Sequence, residues 1–458
     1  VIDFAVRRAG LNEIRAPSSL RKNFPSPFKG ATAMRSFRQG FHATVCAVLA
    51  TAAFVFAGAQ DLKKIEHTTG SQQAQELLAQ AITALESFEG QKAARLAQEI
   101  VKADSNFAFG YMLVAATTQQ QQRAAAVEKF QAKSKNASPG EQKYLEAMAL
   151  VYGNKAEQAL PVFEALRQEY PGDRRVCMML GQINLNQGKY EAARPYFEAA
   201  IKLDNGTPRA YSFLGNCFLL KDDYAKAREN YHIAISKVGP DASPTQPFFG
   251  LSFSYLYEGK PELALQNEEE FLARYLRNGS TANFPAVWIY NNMARIHLES
   301  GNTAEAMKLY EKGYETVPGS SIDSTQKLLW HGRLFHGKAR TLARMGKHEE
   351  AWKLAEQIKQ MIENGGKEAE QYWPAYYYVA GYIKLESGDY QAAAELLEQA
   401  EKDDPFHRLL LARANLKLGK KDAALEVYRE VAKFATNNME RALAYPEAKK
   451  MVAQLSAN

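Results

Sequence analysis

Small and large apolar residues return along this chain in a fixed order, separated by polar stretches. Leu180-Gly181 is followed by Gly188-Lys189-Tyr190-Glu191-Ala192-Ala193, then Phe197 and Ala200. Leu214-Gly215 is followed by Asp222-Asp223-Tyr224, Ala227, Tyr231, Ala234 and Pro240. Gly381 is followed by Gly388-Asp389-Tyr390, Ala393, Leu397, Ala400 and Pro405. Gly181 and Gly215 stand 34 residues apart, and self-similarity at a fixed period is the mark of a repeat architecture. Each unit reads as two helices. Gly in a helix costs about 1 kcal/mol relative to Ala, so Gly181, Gly215 and Gly381 predict a closely packed partner helix that offsets the loss. Ala193, Ala227 and Ala393 predict the same on the second helix, and Tyr190, Tyr224, Tyr390, Phe197 and Tyr231 fill the space left. Gly188, Gly301, Gly346, Gly388 and Gly419 fall between the two helices, where a left-handed cap is wanted. Pro208 and Pro374 open first helices, where a missing N–H does no harm. Strand signals are nearly absent.

These residues resemble the tetratricopeptide repeat (TPR), a helix–turn–helix unit. Ala147 starts a further unit with Ala159, Phe163 and Pro171. Ala294 goes with Gly301, Ala306, Tyr310 and Pro318. Ala339 goes with Gly346, Ala351 and Ile358, and Ala412 with Gly419, Ala424 and Tyr428. Weaker units surround Ala81, Ala115 and Ser252. The resemblance implies an all-α fold, an α-solenoid (right-handed superhelix) of about ten TPR helix-turn-helix units over residues 72–438. Residues 439–458 read as a closing helix over the last unit's apolar face, because solenoids need caps. Extra residues at 275–286, 318–325 and 363–371 stretch the spacing beyond 34 and predict longer helices with loops on one rim.

The charge changes the picture only once it is located. The chain has 57 Lys+Arg against 51 Asp+Glu, but eight basic and two acidic groups lie before residue 60, so the excess of +6 sits there. The remainder is formally neutral and lacks the concentrated basic surface that nucleic-acid binding needs. Met34, Arg35 and Arg38 precede an apolar run from Val45 to Ala57, then Ala57-Gly58-Ala59 and the polar Gln60-Asp61. That order reads as a secretory signal over 34–59, cut after Ala59, with 60–71 as a linker. The run is short for a membrane span, which needs about 20 apolar residues. No integral span is expected after cleavage, and the periplasm or the outside is the expected location. Residues 1–33 carry Pro17, Pro25 and Pro27 with no periodicity. They are expected to be an over-extended start or a disordered leader.

With 46% hydrophobic and 24% charged residues, the chain has the make-up of an ordinary water-soluble folded protein. Three Cys are too few for a disulfide scaffold. In the repeat frame Cys177 and Cys217 are offset by roughly 9 Å along the helix axes, beyond the roughly 7 Å that a bridge allows. Two free thiols are expected. There is no His-Glu-x-x-His, Gly-x-Ser-x-Gly, Walker loop or dinucleotide fingerprint. His331 and His336 are five apart, on different helix faces, and read as surface histidines. No enzyme, no cofactor and no metal are expected.

The TPR resemblance further implies a concave groove lined by first helices. Carried over residue by residue, it places Phe249, Phe253 and Tyr257 in the groove, with Tyr378 and Tyr382 from a later unit. The first three follow i, i+4, i+8 and form one stripe, a partner anchor or a buried core face. Arg333, His336, Arg340 and Arg344 share a second face, with Arg295 and Asn291 from the preceding unit. Such groups hold a carboxylate, a phosphate or an acidic peptide, or pair with Glu299, Glu311 or Glu315. The carboxylate clamp of chaperone-binding TPR domains is not reproduced: Asn216 matches one position, while Met178, Ser212 and Gly250 stand where Lys or Asn belongs. The expected function is a non-catalytic scaffold of the bacterial cell envelope, holding a protein or peptide partner in the groove. The alternative is a periplasmic binding protein for an anionic or aromatic small molecule, serving a transporter.

Overall fold

The computed structural model describes residues 62–118, 120–239, 242–278 and 284–457. The expected leader (1–33) and signal (34–59) lie outside the described residues. Among the described residues the chain is all-helical, ten consecutive helix pairs and a closing helix. The pairs are α1 (Gln72–Glu86) with α2 (Gly90–Ala103), α3 (Ala108–Thr117) with α4 (Gln120–Lys133), and α5 (Pro139–Tyr152) with α6 (Ala156–Glu169). Then come α7 (Arg174–Asn186) with α8 (Tyr190–Leu203), α9 (Pro208–Leu220) with α10 (Tyr224–Ser236), and α11 (Thr245–Tyr257) with α12 (Pro261–Arg277). Next are α13 (Val287–Glu299) with α14 (Thr303–Glu315), α15 (Ser324–Arg344) with α16 (His348–Asn364), and α17 (Trp373–Glu386) with α18 (Tyr390–Leu397). The last pair is α19 (Pro405–Lys417) with α20 (Lys421–Lys433), closed by α21 (Met439–Ser456).

The ten small positions, Ala81, Ala115, Ala147, Gly181, Gly215, Ser252, Ala294, Ala339, Gly381 and Ala412, each fall in a first helix and are buried. Their size is dictated by the partner helix. A Cβ on Gly181 would lie 2.6 Å from the Phe197 ring, one on Gly215 2.6 Å from Tyr231, and one on Gly381 2.6 Å from Leu397. Gly215→Ala gains helix propensity of about 1 kcal/mol, yet we expect a net loss of about 1–3 kcal/mol, because overpacking forces the Tyr231 ring to move. A urea-unfolding midpoint unchanged or raised would contradict this. Between the helices, Gly188, Gly301, Gly346, Gly388 and Gly419 take φ of +73°, +87°, +74°, +85° and +77°. In the fifth pair Asp222 holds the same left-handed position at φ +63°.

The extra residues in the middle lengthen helices: α12 has 17 residues, α15 has 21 and α16 has 17. A short 3-10 helix, Gly366–Tyr372, precedes α17. Cys177 and Cys217 are buried free thiols. Residues 62–69, within the expected linker, form an extended strap laid across the starts of α5 and α7. The Gly172 N–H donates to the Lys63 carbonyl at 3.0 Å, and the Thr68 N–H to the Glu141 carboxylate at 2.7 Å. Ile65 is buried. His67 packs 4.2 Å from the Phe109 ring, and burial and Arg175 push its pKa down to about 3.

Candidate partner-binding surface

The residues expected to line an open groove are largely packed against one another. Phe253, Tyr257, Arg340, Tyr378 and Tyr382 are buried. Phe249 is half-buried, its ring 4.9 Å from Trp288 and 5.7 Å from Phe253. The stripe is therefore core and not an exposed anchor: Phe249 packs against Trp288 of α13, whereas Tyr257 stacks on Tyr224 of α10 and meets Tyr445 of α21.

The basic face is closed as well. The Arg340 guanidinium donates to the Tyr378 hydroxyl at 3.2 Å, the Tyr310 hydroxyl at 3.3 Å and the His336 carbonyl at 3.2 Å. Arg295 lies 3.4 Å from Glu299 and 4.3 Å above the Phe406 ring. That last contact joins α13 to α19, three pairs on, so the superhelix is tight enough here for its inner wall to meet itself. Arg344 donates to the Leu298 carbonyl at 2.7 Å and pairs with Glu299 and Glu386. Of the expected salt-bridge partners, Glu299 serves two arginines, whereas Glu311 pairs with Lys338. Arg333 stacks 4.6 Å above Trp330, and Asn291 is half-buried on α13. His336 donates from Nε2 to the Ala375 carbonyl at 3.1 Å. Burial, then the Arg340 charge, hold its pKa well below the usual histidine range, so the ring is neutral. His331 is half-buried between Tyr314 and Phe335 rather than free on the surface. Two clefts, of about 490 and 270 Å³, open at the amino-terminal pairs, lined in part by Thr68, Asp104 and Lys133 and by Gln73 and Glu99. Neither touches the arginines.

A different part of the inner wall does hold something. After α20 the chain turns back, and residues 434–449 run along α9, α10 and α11. The Asn437 amide donates to Asn216 at 2.8 Å, and Asn216 also accepts from the Tyr231 hydroxyl at 2.6 Å. Arg441 donates to the Tyr257 hydroxyl at 2.8 Å, with its guanidinium 4.2 Å above the Tyr445 ring. The Tyr445 hydroxyl donates to Asp222 at 2.8 Å, and the Lys449 ammonium meets the same carboxylate at 2.5 Å. Tyr224 donates to the other Asp222 oxygen at 2.9 Å. Burial works against the charged form of Asp222, but Lys449 and the two phenols outweigh it and keep its pKa below the ordinary value. On the side of α21 that faces the last pair, Ala444 and Ala448 are buried with Met451, Val452 and Leu455 beside them, and Glu447 accepts two hydrogen bonds from the Arg413 guanidinium of α19, at 2.9 and 2.5 Å.

The inner-wall residues Asn437, Arg441, Tyr445 and Lys449 were not among those expected. Their signal is in the sequence: Arg441, Tyr445 and Lys449 are spaced four apart, which sets them on one face of α21, and Asn437 stands four residues earlier in the non-helical connection.

Fold and surface together define a helical-repeat solenoid that presents side chains along an inner wall. The tetratricopeptide-repeat family profile matches residues 144–208, 178–247 and 378–438, and a second profile of the same repeat matches 287–316. Over these residues the chain carries tetratricopeptide repeats. No curated protein sequence matches it. Among solved structures it is similar to a tetratricopeptide repeat protein from Parabacteroides merdae (16% identity, 60% of this chain and 98% of that one, TM-score 0.45). It is also similar to yeast Tom70 (12%, 84% and 89%, 0.42) and to PilW, a type IV pilus biogenesis factor (16%, 51% and 96%, 0.38). None of these superpositions bears on what the chain binds.

Proposed function

We propose that the protein is a scaffold that holds a partner protein through the inner wall of its middle pairs, and that it acts outside the cytoplasm after export. The observation that carries the first part is the inner wall of α9–α11, which already grips a helix of this chain through side-chain hydrogen bonds. A TPR solenoid is a protein-interaction fold, and its stacked first helices give a continuous surface suited to a partner's helix or peptide. Among the described residues no group of three or more His, Cys, Asp and Glu is placed to hold a metal ion, and no helix is long and apolar enough to cross a membrane. The export part rests on the basic, apolar and small-residue order of residues 34–59.

Cross-linking followed by mass spectrometry, on the chain produced in its own cells, tests both parts. Cross-links from a partner to residues 208–257 are expected, and amino-terminal sequencing is expected to start at Gln60. Cross-links confined to the outer faces would remove the inner-wall reading. Retention of residues 34–59 in a cytoplasmic fraction would remove the export reading.

A further inference from the structure

Each unit of a solenoid packs on its neighbours, but residues 62–69 reach further along the rim. They cross three successive connections between pairs. The Thr69 hydroxyl donates to Asp104, between α2 and α3, at 2.6 Å. At the start of α5, the Ser138 N–H donates to the Thr68 hydroxyl at 2.7 Å and the Ser138 hydroxyl to the Glu66 carbonyl at 2.8 Å. Ahead of α7, the Ile65 N–H donates to Asp173 at 3.2 Å. A Cβ on Gly172 would lie 2.2 Å from the Leu62 carbonyl oxygen, so the seat fits this segment closely. Its occupancy ties the first four pairs into one arrangement.

The seat accepts the histidine at its middle only without charge. The His67 ring packs on Phe107 and Phe109, and its Nε2 meets the Arg175 guanidinium. A guanidinium only donates. Nε2 must therefore keep its lone pair, and the ring proton sits on Nδ1, which has no partner among the described residues. A second proton, on Nε2, would break the bond and set two cations in contact. The neighbouring acids are already engaged. One Asp173 oxygen takes the Arg175 N–H and Nε at 3.1 and 2.8 Å, and the other takes Ile65 and Arg175 Nη2. On α5, Glu141 accepts from the Thr68 N–H, and the Tyr144 ring lies 5.6 Å from the Arg175 guanidinium. Arg174 is turned to Glu86 and Asp204. Burial, then Arg175, hold the His67 pKa at about 3 against an ordinary 6.5. Docking is therefore full above pH 6.5 and is lost as pH falls toward 3. Burial raises the pKa of Glu141, which opposes the histidine over part of this range. For Asp173 burial is outweighed by Arg175, so its pKa lies below 3.8 and it acts only in stronger acid.

We propose that residues 62–69 are a brace released by acid, with His67 as its trigger. Release frees the first four pairs to rotate on one another and opens Phe107 and Phe109, both buried, to water. The device stands apart from the inner wall of α9–α11.

Hydrogen exchange of the full chain, read by mass spectrometry and corrected for the intrinsic pH dependence of exchange, follows such local opening. Protection of the Ile65 and Thr68 amides is expected to fall between pH 7.5 and pH 5. His67→Gln keeps an acceptor for Arg175 and cannot titrate. Protection in the wild type relative to His67→Gln is expected to fall about thirtyfold over that interval, because at pH 5 a released histidine is protonated and a docked one is not. Glu141 is common to both chains and cancels. A constant ratio, or wild-type protection that holds at pH 5, overturns the proposal. So does an equal loss in α9 and α13, which would mean that the whole chain unfolds. If His67→Gln leaves the segment unprotected at every pH, nitrogen-15 NMR of the wild-type histidines decides, the His67 signal being the one absent from the variant. That signal is expected to show the Nδ1–H tautomer at pH 7.5 and a midpoint below 6.5; the Nε2–H tautomer or a midpoint at 6.5 overturns the proposal.

Discussion

Glu268→Gln stabilises the protein, and by more the higher the pH. Glu268 lies on α12, fully buried, and neither carboxylate oxygen makes a well-formed hydrogen bond. Burial raises its pKa from 4.5 to about 8; Ser252 and Asn292 beside it pull the other way without offsetting the effect. Between these two values the folded chain keeps a proton that the unfolded chain has released. Stability is therefore full below about pH 4.5, falls as pH rises toward 8, and levels off above. At ~1.4 kcal/mol for each tenfold change in proton affinity, the loss is on the order of 3 kcal/mol at pH 7 and 4–5 kcal/mol at pH 9. Glutamine keeps the shape and carries no charge to desolvate. Urea unfolding of the two proteins at pH 4.5, 7 and 9 is expected to give curves that diverge with pH. A constant offset across the three would mean that Glu268 does not titrate in this window.

Arg340→Ala is expected to cost about 2–5 kcal/mol, because it leaves two buried tyrosine hydroxyls without their donor, at about 1–3 kcal/mol for each unsatisfied group. The side chain is 5% exposed and spends its donors on two tyrosine hydroxyls and a carbonyl. Its loss strands Tyr310 and Tyr378 in a site that water does not reach, and leaves a void between α14, α15 and α17. Arg333→Ala, on the same helix but half-buried over Trp330, is expected to cost about 1 kcal/mol or less. All four tryptophans, at 288, 330, 352 and 373, lie in the seventh to ninth pairs, so their fluorescence in urea reports this region. Equal midpoints for the two variants would show that the network carries no special weight.

The repeat was legible because its signals are forced by geometry close in sequence. A helix pair must cross tightly at one point, which requires Gly181 or Gly215 there, and must turn once, which requires Gly188 or Gly301 at positive φ. The binding surface was not legible in the same way. The register says that Arg295, Arg340 and Tyr382 face inward, but not how far the wall is from its opposite side. That distance depends on small rotations accumulated over several pairs, including those with the longer α12, α15 and α16. The contact of Arg295 with Phe406, from α13 to α19, is a product of that accumulation. The four-residue spacing of Asn437, Arg441, Tyr445 and Lys449 was present in the sequence. It reads like any solvated helix face until the curvature brings residues 216–257 alongside.

Asp222 joins two requirements that repeat proteins usually keep apart. It occupies the turn position that glycine fills in six other pairs, and its carboxylate is also the anchor for Tyr445 and Lys449. A designer who averaged the ten units into a consensus would write glycine there, relieve the backbone, and obtain a straighter-looking sequence that folds well. That improved protein would have lost the only acid on which its tail is moored in these contacts, so regularising the units and preserving what they do are opposed aims at this one residue.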